Sequence, residues 1–305
     1  MNPSVTDAVH RALERTSNVL FEPFSLKKWL ILGFCSFLAT LGRGGYSFQY
    51  PASGEDSGRH LSRAGAWISS HPVLALALGA GGLVIALAVK ALLEWLSSRG
   101  TFMFLDGVVR DRGAVSEPWH RLADRAYSYF VLSFTVTAGM AFLSVLILLC
   151  CAILAWPGLM AQTLDYRATL ALIVALSTLP PLGLLYLLVR SILSDFIAPI
   201  MYVRKIDAGS AALLYWRQLF LPHFTSIVLF YLCKLALSII AGLAAIIAVL
   251  FTCCLAAVPY LGSVIVLPIS VFFRSYSIFY LSQFGQDWDL MRSVSGPDAN
   301  PEGAR

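Results

Sequence analysis

Six ionisable side chains stand inside apolar runs of this sequence, where charge is costly: Lys90, Glu94, Arg190, Asp195, Lys234 and Arg274. A basic residue at the centre of a membrane-spanning helix costs about 2.5–3.5 kcal/mol on insertion scales. Several kinds of chemistry could repay that cost. Lys90 and Glu94 are four residues apart, so one helical turn pairs them. Long basic side chains can also extend along their aliphatic stems to the headgroup layer. Basic groups directed inward together would instead form a pocket for an anion or lipid headgroup. A chain of ionisable groups could carry protons or ions. Lys234 is the deepest of the basic residues if its helix begins near Phe224, and Asp195 or Glu94 is its expected partner, since an unpaired charge there is costly.

Catalytic and metal-binding patterns are missing. The five histidines (His10, His60, His71, His120, His223) have no paired metal spacing, and there is no GxSxG or Walker A sequence. The cysteines Cys35, Cys150, Cys151, Cys233, Cys253 and Cys254 all lie in apolar runs without CxxC spacing, which reads as apolar filler. The reading is therefore of a protein that is not an enzyme and needs no cofactor. GAGG at 79–82 reads as close helix packing or as a broken helix at a transport site.

The elements that carry these residues follow from composition. The 305 residues are 58% hydrophobic and only 13% charged, with net charge +5 and mean hydropathy +0.75. Soluble domains run about 45–50% apolar and about 25% charged. A soluble domain, a disordered chain and a nucleic-acid binder are thereby excluded, and an all-α polytopic transmembrane bundle remains. Six spans are expected at about 26–43, 73–96, 128–156, 168–194 (running on toward Val203), 224–257 and 260–282. Pro180-Pro181 and Pro268 should kink the fourth and sixth. Residues 1–25 lack a signal-peptide pattern and read as an amphipathic surface helix with Val5, Val9, Leu13 and Leu20 on one face. The 43–72 loop reads as irregular, and 283–305 as a disordered tail. Fourteen Lys and Arg fall on the side of the termini against four on the other, so both termini are expected in the cytoplasm.

Two stretches repeat. FLDGVVRDRGAVSEPWHRL and PIMYVRKIDAGSAALLYWRQL each carry Val-Arg, then a short segment with a Trp (Trp119, Trp216), a long span, a Cys-Cys pair and a Pro. Pseudo-repeated helical hairpins with cytoplasmic amphipathic surface helices follow from this pattern.

NVLFEPFSLKKWLILGFCSFLATLGRGG, RGTFMFLDGVVRDRGAVSEPW and VPYLGSVIVLPISVFFRSYSIFYLSQFG together resemble an uncharacterised bacterial six-span membrane family, a domain of unknown function. The pattern is loosely similar to the membrane domain of some glycerophosphodiester phosphodiesterases. The resemblance implies a bacterial cytoplasmic (inner) membrane protein and assigns no residue a role. The expected function is that of a scaffold or lipid/anion-interacting component, with a small transporter or channel using spans four and six as the alternative. Membrane lipids, anionic ones among them, are the expected partners; nucleic acid is not, and no protein partner is indicated.

Overall fold

The computed structural model describes residues 3–42, 70–160, 166–252 and 259–295, and among these the chain is helical with no strand. The 43–69 segment, His60, Cys253, Cys254 and the chain from 296 on lie outside the described residues.

Helix α1 (Val5–Phe21) starts where the Ser4 hydroxyl accepts the Asp7 amide. Its buried face is Ala8, Ala12, Thr16, Val19 and Leu20, while Leu13 is exposed. Of the expected face, Leu20 is buried and Val5 and Val9 pack half-buried against the core, so only Leu13 departs; the small residues Ala8 and Ala12 let α1 press against α11 (Leu267–Ser282). Arg11 covers the Phe279 ring at 4.5 Å, and Ser4 and Gln283 exchange hydrogen bonds.

Helix α2 (Leu26–Leu41) has sixteen residues, about 24 Å of rise. It lies against the second half of α3 (Pro72–Arg110). A Cβ on Gly100 would fall 2.5 Å from the Ala39 nitrogen, and one on Gly107 2.5 Å from Leu32, so these glycines permit the contact. Helix α3 runs well past the expected end at 96. Phe102, Met103, Leu105 and Val108 are buried around its whole circumference, as a helix enclosed by neighbours requires. GAGG lies within continuous helix, and among the described residues a Cβ on Gly79, Gly81 or Gly82 would meet nothing within 4 Å. Among the described residues the motif neither packs closely on another helix nor breaks its own.

After the short α4 (Ser116–Arg121), helix α5 (Ala123–Met160) pairs with α6 (Tyr166–Ile192). Helix α6 continues through Pro180 and Pro181 and is interrupted later, by a π-turn at Leu193–Ile197, before α7 (Ala198–Arg204). Then come α8 (Ala208–Leu214), a second π-turn at Tyr215–Phe220, and α9 (Phe224–Phe251). Helices therefore occur around both Trp119 and Trp216. Both α3 and α7 stop directly after Val-Arg at a left-handed residue, Asp111 (φ 54°) and Lys205 (φ 56°).

The expected sixth span is two helices, α10 (Pro259–Ile265) and α11, meeting at Val266 beside Pro268. Among the described residues four helical runs are long and apolar enough to cross a membrane: Leu76–Arg110, Ala123–Trp156, Tyr166–Arg204 and Phe224–Ala248. Residues 283–295 depart from the expected disorder. A 3-10 turn at Gln286–Trp288 leads to α12 (Leu290–Ser295). Trp288 lies under Arg204 at 5.2 Å and Leu290 is fully buried, so apolar anchors hold the segment down.

Candidate functional site

Five of the six charged residues form two ionic groups, and the sixth, Arg274, bonds to Ser194. Glu94, 1% exposed, sits one turn beyond Lys90 on α3, and the Lys90 ammonium lies 3.4 Å from it. Arg190, near the end of α6, donates to Glu94 and to the Ser133 hydroxyl, and Ser133 donates to Glu94. Lys90 also donates to the Gly42 carbonyl at 2.6 Å. A Cβ on Gly42 would stand 2.8 Å from the Glu94 carboxylate, so a glycine is needed there.

In the second group Lys234, on α9, pairs with Asp195, one of the two partners its depth predicts. Ser191 bridges them, accepting from Lys234 at 2.9 Å and donating to Asp195 at 2.8 Å. Asp195 belongs to the π-turn, and local sequence explains that turn. The Ala198 amide bonds to Leu193, five residues back. The next donor in that register, facing the Ser194 carbonyl, would be residue 199, which is proline and has no N–H. Arg274 supplies the donor instead, at 2.7 Å from the Ser194 oxygen and 3.4 Å from its hydroxyl. Its guanidinium also lies 5.9 Å from the Phe104 ring centre.

Arg274, Lys234 and Asp195 line one cavity of about 320 Å³ between α2, α9, α11 and the π-turn. Hydroxyls of Ser36, Ser238 and Ser270 and the rings of Phe104 and Phe273 share its wall. Lys90, Glu94 and Arg190 are not part of that wall. The cavity can thus hold a group with both a charged and an apolar part. Among the described residues no three His, Cys, Asp or Glu side chains converge as a metal site.

The sequence reading missed a further ionic group. Asp106 on α3, fully buried, meets Arg110 at 3.2 Å, Arg112 at 3.0 Å and Arg121, and accepts from the Tyr202 hydroxyl at 2.7 Å. Arg15 of α1 donates to the Val108 and Val109 carbonyls at the end of α3, at 2.9 and 3.0 Å. Burial lowers the Arg15 pKa, opposed by the nearby Asp111. Arg99 lies between Trp95 and Trp119, 5.3 and 5.2 Å from their rings. The available signal was Asp106 inside FMFLDGVV with Arg110 one turn on. With the second span expected to end at 96, Asp106 falls outside the apolar spans, where a charge needs no buried partner.

A family of unknown function (DUF7544) matches residues 4–267, from the cap of α1 to the first residue of α11. The chain belongs to that family. No curated protein and no solved structure matches it. The part matched by DUF7544 holds Asp106, both ionic pairs and Ser133, and ends before Arg274.

Proposed function

We propose that this is a non-enzymatic, multi-pass protein of the bacterial cytoplasmic membrane that holds an anionic group, with both termini in the cytoplasm. The observation that carries the reading is the cavity in which Lys234 and Arg274 face an interior shared with one carboxylate, Asp195. Two cations on the wall of one half-open, partly apolar cavity attract an anion more strongly than they would in bulk water. The four long apolar helices support the membrane setting, and the excess of Lys and Arg on the side of the termini supports the orientation. On this reading α2 and the α10–α11 pair complete six crossings, α1 and the Trp119 and Trp216 segments lie along the cytoplasmic face, and the two Val-Arg units are copies of one hairpin.

The test is native mass spectrometry of the protein purified from membranes, wild type beside Lys234→Ala. Retained anionic lipid in the wild type that falls in the variant supports the reading. Equal retention rejects it. A second reading, a small transporter or channel, draws on the helix interruption at Leu193–Ile197, whose Ser194 and Asp195 border the cavity. Counter-flow of an anion in proteoliposomes, absent with Lys234→Ala, separates the two.

A further inference from the structure

We infer that α8 and the π-turn after it are seated in the cytoplasmic headgroup–acyl boundary of the bilayer, with Trp216 as the anchor. The inference rests on the membrane reading above. It also separates the two Val-Arg units: the Trp119 segment is locked inside the molecule, and the Trp216 segment meets lipid.

Side chains along 208–224 fall on stripes at helical spacing. Ala208, Ala211, Tyr215 and Leu219 are buried against the rest of the molecule. Leu213, Trp216, Phe220 and Phe224 follow one another at three or four residues and form a second stripe. Leu213, Trp216 and Phe224 are 60%, 52% and 55% exposed. Ser210, Arg217 and Gln218 are exposed and polar on the remaining surface. A helix that packs only on protein needs one apolar face. A second apolar stripe beside a polar one is what a helix lying in a bilayer interface presents. The second stripe is a continuous row of rings: Trp216 stacks on Phe220 at 4.5 Å, and Phe220 meets Phe224 edge-on at 5.4 Å.

Continuity with α9 identifies what covers the stripe. Phe224 opens that helix, and the exposed residues Val228, Leu232, Leu235 and Ile239 carry the same spacing onward. From Phe224 to Phe251 the rise is about 40 Å, close to the about 40–45 Å of a bilayer with its headgroup layers. If α9 crosses with the exposed Phe251 at one boundary, Phe224 stands at the other, and Trp216 is two turns away from it. Tryptophan concentrates at that level because its ring is apolar and its N–H seeks water. Arg217, beside it in sequence, can extend to the phosphates.

Trp119 is placed differently. It is half-buried and meets Trp95 edge-on at 5.8 Å. The Arg99 guanidinium lies 5.2 Å from its ring and donates to its carbonyl at 2.7 Å. The nearby Arg121 is engaged with Asp106 and Glu117. Protein groups thus take up on Trp119 the contacts that Trp216 leaves to the bilayer.

The test is tryptophan fluorescence of the full chain in vesicles of phosphatidylcholine and phosphatidylglycerol whose acyl chains carry bromine near the headgroup. Emission lost in Trp216→Phe or in Trp119→Phe gives the share of each indole, and phenylalanine keeps a ring in place. Bromine should quench the Trp216 share about threefold or more strongly than the Trp119 share, and aqueous acrylamide should reach neither well. Gln218→Trp, added to the Trp216→Phe chain, places the indole on the polar side, where acrylamide should quench it and bromine should not. Trp156, 60% exposed near the end of α5, reports on the membrane reading itself through Trp156→Phe. Trp156 quenched by bromine and Trp216 not quenched overturns the anchor alone. Acrylamide quenching then puts Trp216 in water, and shielding from both quenchers means that a second copy or another protein covers it. A Trp119 share quenched as strongly as the Trp216 share overturns the separation of the two units. Neither Trp156 nor Trp216 answering to bromine overturns the membrane reading as well.

Discussion

Glu94 accepts from Arg190 and Ser133, all three of them buried, and faces the half-buried Lys90. Removing one member of such a group strands the other's charge, at a cost of about 3–5 kcal/mol, whereas removing both is close to neutral. Glu94→Met should therefore lower thermal stability in detergent by about that amount, and Glu94→Met with Arg190→Met should recover most of it. A double variant as unstable as the single one would refute the pairing account. At the protein surface, Asp207 caps α8, and its bonds to the Ser210 hydroxyl and amide hold the carboxyl below its ordinary value. A depressed folded pKa stabilises above the unfolded value and is lost as pH falls through the folded one. Asp207→Ala should be less stable than wild type at neutral pH, and the difference should vanish as pH drops below about 4, the ordinary carboxylate range. A gap that persists in acid would show that the carboxylate charge is not what caps the helix.

Individual helices were legible because apolar runs and Ser or Asp caps are local signals. Their ends were less so. Helix α3 continues to Arg110 because α2 encloses it, and nothing in 97–110 itself announces that neighbour. Glycines make the difference measurable. Gly100→Ala puts a methyl into the α2 backbone and should destabilise by about 1–3 kcal/mol or more. Gly81→Ala meets nothing and should stabilise α3 by up to about 1 kcal/mol. Thermal unfolding of the two variants side by side checks both signs. The same effect from both would reject the α2–α3 contact.

Across the whole molecule, burial is divided along the helices. Phe102 to Val109, Leu193 to Tyr202 and Tyr276 to Leu281 form one packed body, while Val73 to Val89 and Leu229 to Phe251 expose mostly apolar side chains. The exposed stretch 73–89 rises about 25 Å, close to a hydrocarbon thickness of about 30 Å. Cys150 is exposed and Cys35 buried. A water-soluble maleimide should label Cys150 in mild detergent but not in sealed proteoliposomes, and Cys35 in neither without denaturant. Labelling of Cys150 in intact bilayers would place that surface in water.

The sequence by itself determined what short range can write: an all-helical, membrane-compatible composition, the six buried-charge candidates, and the Lys90–Glu94 pairing at one helical turn. Only the tertiary structure decided which charges meet. Arg190 reaches Glu94 across ninety-six residues, and Lys234 reaches Asp195 across thirty-nine. Asp106 became a buried node once α4 and α7 closed around the end of α3. Arg274 was directed to a carbonyl that Pro199 leaves without a helical donor. A charge in an apolar run must find a partner, and its own segment states that need. The partner's identity depends on which helices lie side by side, and here that is set by small contacts such as Gly100 on Leu38 and Ala8 on α11, which periodicity does not encode.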